Sequence, residues 1–299
     1  MIIILGASGG IGSKLHSMAR HRDEPIIGTY NAQASPGLLK FDMLQDSLLD
    51  IIPRLEPSDT VVILSAYTNP NWIFENDSLA RNLNVIATCG VIDEAISRGA
   101  QIVFLSTEII FTDQADGHTE DSIPAPSTVY AQQKTEVEAY LQARAQNSII
   151  ARTGWNVSRE IQSNCPVANT RHALLSGNAK MARDNWFTLT DTSDTCSVLL
   201  DLIKKKRHGT FHVAANPPIS RIELADEIIA SSSVGDTMSY EEINFNELPY
   251  TEPRPACAWL SNTKITLETG HIFSPPIGTI RNKVSIIEKQ LSDPKGMSR

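Results

Sequence analysis

With 299 residues and 41% apolar content, the chain is long enough to bury a large core and suits one large domain with a smaller second one. Its net charge of −8 argues against nucleic acid as a partner, and no apolar run approaches the roughly 20 residues of a membrane helix, which argues against a membrane. The four cysteines (Cys89, Cys165, Cys196 and Cys257) fit no CxxC or CxxH spacing, so no metal is expected, and free thiols in a reducing cytoplasm are.

The first predicted element is Met1–Leu5, an unbroken apolar run with the pattern of a strand buried on both faces. It has no basic stretch ahead of it and meets glycine after five residues, so it reads as structure and not as a leader. Gly6 opens a tight turn, Gly9 and Gly10 admit close approach of phosphates, and Gly12 lets a following helix, 10–20, lie against the strand. The free amides and positive dipole end of that helix would hold an anion, so the order strand, glycine turn, helix implies a dinucleotide pyrophosphate site.

Further strands are predicted at 25–29, 38–42, 60–65, 101–106 and 148–152, alternating with helices at 47–55, 78–98 and 128–145. Alternation of this kind predicts an α/β, Rossmann-type doubly wound parallel sheet with its ligand outside the carboxyl ends of the strands. After Arg152 the pattern breaks, and 155–186 has no clean period. A helix at 192–206, a strand at 209–214 and a helix at 220–231 follow, the last with Ser220 and Glu223 as a capping box. The stretch bearing Pro249, Pro253 and Pro255, and later Pro275 and Pro276, reads as irregular. The expected organisation is a dinucleotide-binding domain over 1–154, with 192–215 packing back on it. A smaller C-terminal substrate-binding lobe is expected from 155–191 and 216–291, and a flexible tail from 292–299.

Tyr130 and Lys134 form the chain's only Tyr-x-x-x-Lys, and the i, i+4 spacing puts both on one helical face. Ser106-Thr107-Glu108 ends the preceding strand. A free phenol has a pKa near 10, about 3 units too high for proton exchange at neutral pH, a gap of roughly 4 kcal/mol. An ammonium about 4 Å away supplies on the order of 4 kcal/mol at an effective dielectric of 20. Tyr130 is therefore the expected proton donor to a carbonyl as hydride arrives, Lys134 its tuner and a ribose ligand, and Thr107 a partner of the substrate oxygen.

GASGGIG, STEIIF and YAQQK resemble the extended short-chain dehydrogenase/reductase superfamily, and in particular its dTDP-4-dehydrorhamnose reductase-like branch of nucleotide-sugar reductases. Ser65-Ala66-Tyr67-Thr68, Asn84-Val85, EDSIP (120–124), Arg152-Thr153-Gly154-Trp155 and Arg254-Pro255 are similar to segments of that group, and the likeness spans about 1–265. It implies Thr107, Tyr130 and Lys134 as the catalytic three. It implies Gly6, Ser8, Gly9, Gly10, Ile11 and Gly12 at the pyrophosphate, Asp42 and Met43 on the adenine side, and Ser65, Ala66 and Tyr67 at the nicotinamide ribose. Thr68, Glu108, Trp155 and Arg254 fall near the sugar nucleotide, although Trp155 reads equally as core packing and Arg254 also as a loop brace. Glu108-Ile109 replaces the usual Asp-Tyr, and the family's Asn-Phe segment is poorly matched at Asn164-Cys165.

The second strand ends Gly28-Thr29-Tyr30-Asn31 with no carboxylate, so NADP(H) is favoured by a small margin over NAD(H), with Thr29 and Asn31 as donors to the 2′-phosphate and no arginine nearby. The activity implied is NAD(P)H-dependent reduction of a keto group on a nucleotide-sugar substrate. A nucleotide-sugar epimerase or dehydratase and a non-catalytic NADP-binding subunit are the alternatives. A homodimer remains open.

Overall fold

The computed structural model describes residues 1–158 and 165–292. Among them seven parallel strands form one sheet: β1 (Ile2–Leu5), β2 (Ile26–Tyr30), β3 (Leu39–Lys40), β4 (Thr60–Ile63), β5 (Gln101–Thr107), β6 (Ile149–Thr153) and β7 (Gly209–His212), in the spatial order β7-β6-β5-β4-β1-β2-β3. The order reverses between β1 and β4, the switch point beside whose strand ends a ligand crevice is expected. β1 and β4 are buried along their whole length because helices cover both faces, which is why they read as continuous apolar runs.

The helices α1 (Gly10–His21), α2 (Thr88–Ser97), α3 (Val129–Arg144) and α4 (Thr192–Lys204) flank the sheet. Alternate strand residues divide between two cores. Ile3, Leu5, Val61, Ile63, Ile102 and Phe104 pack toward α2 and α3, whereas Ile2, Ile4, Val62 and Val103 pack with Leu15 of α1 and Leu199 of α4. Ahead of α2 the chain runs through Asp77–Arg81 and a π-helical stretch, Asn82–Ala87, which carries the buried Asn84.

A third core holds the C-terminal lobe together. Three two-stranded ribbons build it: Trp155–Val157 with Leu189–Asp191, Ala179–Ala182 with Tyr240–Ile243, and Trp186–Phe187 with Ile219–Ser220. Helices Pro166–Leu175, Arg221–Ser231 and Pro276–Ser292 cover them, and the capping box at Ser220 and Glu223 makes both of its bonds.

Several elements differ from expectation. The helix at 47–55 shrinks to Leu48–Ile51, since Pro53 disfavours helical backbone at Ile52 and breaks the turn. The unpatterned 155–186 stretch contains the helix Pro166–Leu175, and Pro276 opens the 17-residue helix Pro276–Ser292, whereas the stretch around Pro249, Pro253 and Pro255 is irregular as expected. In both helices, proline stands at the start, where its missing N–H costs nothing. Ser292 ends the last helix, while the rest of the expected tail and Asn164 lie outside the described residues.

Candidate active site

The crevice begins with the turn between β1 and α1. Gly6 has φ +90°, and a Cβ there would lie 2.8 Å from Ser65 Oγ, so the turns after β1 and β4 touch. A Cβ on Gly12 would come within 2.1 Å of the Gly6 carbonyl oxygen, so only glycine lets α1 start this close to the strand. The helix start has no side-chain cap and no acidic residue in its first turn. Ser8 and Gly9 are exposed beside it, and Ile11 is fixed by Cys196 Sγ, which donates to its carbonyl. This cradle fits a pyrophosphate, which its open amides would bind.

At the adenosine end one expected contact is corrected. Thr29 is 2% exposed, and its Oγ1 accepts the Gly6 amide at 3.2 Å, so it shapes the turn from beneath instead of meeting a 2′-phosphate. Met43 belongs to the core, and Asp42 Oδ1 accepts the Leu44 amide at 3.0 Å. Asn31 meets a cation that sequence reading missed: Lys40 Nζ of β3 donates to both Asn31 Oδ1 and the Asn31 carbonyl at 2.5 Å. The lysine becomes a neighbour only because β3 pairs with β2 in register, Tyr30 opposite Lys40.

On the other side of the crevice, Ser65 and Ala66 lead from β4 to the exposed Tyr67 and Thr68. Tyr67 is held by Asn84, whose Oδ1 accepts the Tyr67 amide at 2.9 Å and whose Nδ2 donates to the Tyr67 carbonyl at 3.0 Å. Asn84 Nδ2 also donates to Gln133 Oε1 at 2.9 Å, and Gln133 Nε2 donates to Asp77 Oδ1 at 3.0 Å. This relay from α3 to the Tyr67 loop was not anticipated. Its signal lay in the Gln inside YAQQK and the Asn of Asn-Val.

Thr107 ends β5, and its Oγ1 accepts the Ile109 amide at 3.4 Å. Tyr130 and Lys134 stand on α3, which packs against β5. Tyr130 is 8% exposed among Ile73, Ala80, Trp72, Val129 and Ile109. Lys134 Nζ donates to the Leu105 carbonyl at 2.9 Å and lies 4.6 Å from the centre of the Phe104 ring, against 5.9 Å for that of Tyr130. The expected ammonium beside the phenol is thus replaced by an ammonium on a strand carbonyl, because a buried lysine must find an acceptor. Burial pulls Lys134 down to about 8, with Glu138 acting in the opposite direction. Burial alone pushes the Tyr130 phenol well above its ordinary value.

The lobe carries a layer of aromatic rings and cations. Trp155 packs on Phe187 with ring centres 4.4 Å apart, and the Arg221 guanidinium covers Trp155 at 4.8 Å. Arg221 also donates to Asn185 Oδ1 at 2.6 Å and to the Tyr250 hydroxyl at 3.2 Å. Arg254 lies 4.1 Å over the Tyr250 ring and donates to Asn71 Oδ1. Arg221, Tyr250 and Asn71 were not predicted, since nothing in their local sequence marks them.

Residues 1–278 match the family model described as the RmlD substrate binding domain. The chain belongs to that family. Its fold is that of a dTDP-4-dehydrorhamnose reductase from Clostridium acetobutylicum, with a TM-score of 0.81 at 24% identity over 96% of this chain and 99% of that one. The probable low-salt glycan biosynthesis reductase Agl14 of Haloferax volcanii is 22% identical over 97% of this chain and 98% of its own. The beta subunit of methionine adenosyltransferase 2 from Pongo abelii is 23% identical over 75% of this chain and 70% of its own.

Within this RmlD-type chain, Glu108 is not where a substrate-pocket residue was expected. It is 3% exposed, its Oε2 accepts the Thr188 amide at 3.1 Å, and the same oxygen lies 2.5 Å from where a Cβ on Gly154 would stand. It joins the end of β5 to the lobe beneath the cleft. Burial pushes its pKa up to about 8, with the Thr188 hydrogen bonds opposing. A carboxyl raised above its ordinary 4.5 stabilises the fold fully below that pH and loses this contribution as pH rises through 8. Between pH 6 and 8 the wild type should therefore lose about 2 kcal/mol that Glu108→Gln retains, as read by urea unfolding at the two pH values.

Proposed function

We propose that this chain is an NAD(P)H-dependent reductase of a keto group on a nucleoside-diphosphate sugar, with Tyr130 as proton donor. The observation that carries the reading is the placing of the Tyr130 phenol on the helix that packs against the strand end bearing Thr107, in a fold whose glycine turn fits a pyrophosphate. A bound nicotinamide cofactor would supply hydride. The Gly10 and Ile11 amides would hold its pyrophosphate, Tyr67 would wall its ribose, and Lys134, four residues beyond Tyr130, would take ribose hydroxyls. Thr107 would hydrogen-bond the substrate carbonyl, and Tyr130 would release its proton to the developing alkoxide. Arg254 and Arg221 would meet the diphosphate.

The elimination chemistry of a dehydratase is disfavoured, since Ile109 supplies no second carboxylate and Glu108 is buried away from the cleft. Incubation with NADPH and a panel of 4-keto dTDP-, UDP-, GDP- and CDP-sugars should oxidise one equivalent of cofactor per product. Conversion without net oxidation would transfer the case to an epimerase or dehydratase. The likeness to the beta subunit of methionine adenosyltransferase 2 favours one other reading, a cofactor-binding regulatory subunit, whose signature is binding without turnover across the panel.

Lys40 strengthens the preference for NADPH. Its ammonium stands at the end of β2 on Asn31, where the 2′-phosphate of an adenosine held by the glycine turn would fall. Lys40→Ala should weaken NADPH binding about tenfold, the scale of one charge-assisted contact, and leave NADH binding unchanged in fluorescence titration. Equal loss for both cofactors would refute the assignment.

A further inference from the structure

The first turn of α3 has two amides satisfied by side chains. Thr128 Oγ1 accepts from Ala131 at 3.1 Å, the ordinary N-cap bond. The Val129 amide, one residue before Tyr130, is taken by Glu252 Oε1 at 2.7 Å from a loop 123 residues further along the chain. Glu252 is 7% exposed, and its other oxygen, Oε2, is buried with no hydrogen-bond partner. A buried carboxylate with an unmatched oxygen is a costly way to cap a helix that Thr128 already caps, even with the dipole in its favour.

Residues 250–254 are fastened at a second point. Thr251 Oγ1 donates to Asn71 Oδ1 at 3.0 Å, and Arg254 Nη2 donates to the same oxygen. Arg254 Nε is buried without a partner, as Glu252 Oε2 is. One short strap thus carries two opposite charges, each with an unmatched polar atom. One is bound to the helix of Tyr130 and the other to the segment around Asn71.

We propose that Glu252 is a positioning residue that couples anion binding at Arg254 to the placement of the Tyr130 phenol, through the Val129 amide. This rests on the reductase reading for the roles of Arg254 and Tyr130. A diphosphate engaging Arg254 shifts a strap whose other attachment is the backbone next to the proton donor, so the donor is set when substrate is seated.

Hydrogen–deuterium exchange on the full chain loaded with NADPH tests this, with and without dTDP, for wild type, Glu252→Ala and Glu252→Gln. Without dTDP, exchange over 128–132 should be about fivefold faster in Glu252→Ala, the scale of a lost cap, and near wild type in Glu252→Gln, whose amide oxygen still accepts. Addition of dTDP should slow exchange over 250–254 in all three proteins, and over 128–132 only in wild type and Glu252→Gln. With the keto sugar, Glu252→Ala should lower kcat about tenfold at unchanged NADPH affinity, and Glu252→Gln should restore it. Equal exchange over 128–132 in wild type and Glu252→Ala overturns the proposal, as does dTDP protection there that survives in Glu252→Ala. Absence of dTDP protection over 250–254 overturns both the coupling and the Arg254 assignment. The expected exchange pattern in a protein that turns over no sugar supports the coupling and overturns the reductase reading alone. Should Glu252→Ala not fold, Glu252→Asp, one methylene short of the Val129 amide, replaces it with the same expectations.

Discussion

Tyr130→Phe is expected to lower turnover of the keto sugar at least about a hundredfold, the usual scale of a lost general acid, while NADPH affinity stays at the wild-type value. The phenol is buried among Ile73, Ala80, Trp72 and Ile109, so phenylalanine keeps the packing and removes only the hydroxyl that carries the proton. Burial raises the phenol well above its ordinary pKa, so the acid is fully loaded at neutral pH and the wild-type rate should show no loss of this proton up to pH 9. Lys134→Met should lower both turnover and cofactor affinity, because in the proposed mechanism the same ammonium would bind the ribose and polarise the cleft. Steady-state rates and a fluorescence titration of NADPH check these effects. A Phe variant with wild-type turnover on its true substrate would refute the mechanism.

The largest effect on stability is expected at the ion pair between α3 and β6. Arg152 Nη2 lies 2.7 Å from Glu138 Oε2 and Arg152 Nε 3.1 Å from Oε1, a two-point contact in which both side chains are buried. The guanidinium also lies 5.1 Å from the Phe111 ring centre, with Nη1 3.4 Å from His212 Nε2. Burial, and then the positive charge of Arg152, hold His212 neutral with its pKa lowered to about 3, so the histidine adds no second charge. Arg152→Ala leaves Glu138 as an uncompensated buried carboxylate and should cost about 4 kcal/mol in urea unfolding, with a similar loss for Glu138→Ala. Arg152→Met with Glu138→Leu should recover most of that loss, since two packed apolar side chains carry no desolvation penalty. A double variant no more stable than either single one would show that the pair contributes more than mutual neutralisation.

Much of the candidate cofactor site was legible in the chain because its determinants are local. Four glycines within seven residues after an apolar strand specify a turn and a helix start by steric exclusion, and the Gly12 clearance in the structure is that exclusion seen directly. The Tyr130–Lys134 spacing likewise needs only the helical repeat to place both residues on one face. The lobe was poorly legible for an equally physical reason. Its strands are two to four residues long, too short to show a period, and two of its helices open on prolines that read as breaks.

The sequence by itself determined the elements of the sheet, the glycine turn and the candidate catalytic residues, because each follows from interactions within a few residues along the chain. Only the tertiary structure decided what those residues touch. Thr29 is drawn beneath Gly6 from 23 residues away, Lys134 onto the Leu105 carbonyl from 29, and Glu108 under Thr188 from 80. In each case a buried polar group takes the partner that packing places within reach, and that choice is made between strands and lobes, where no local pattern records it.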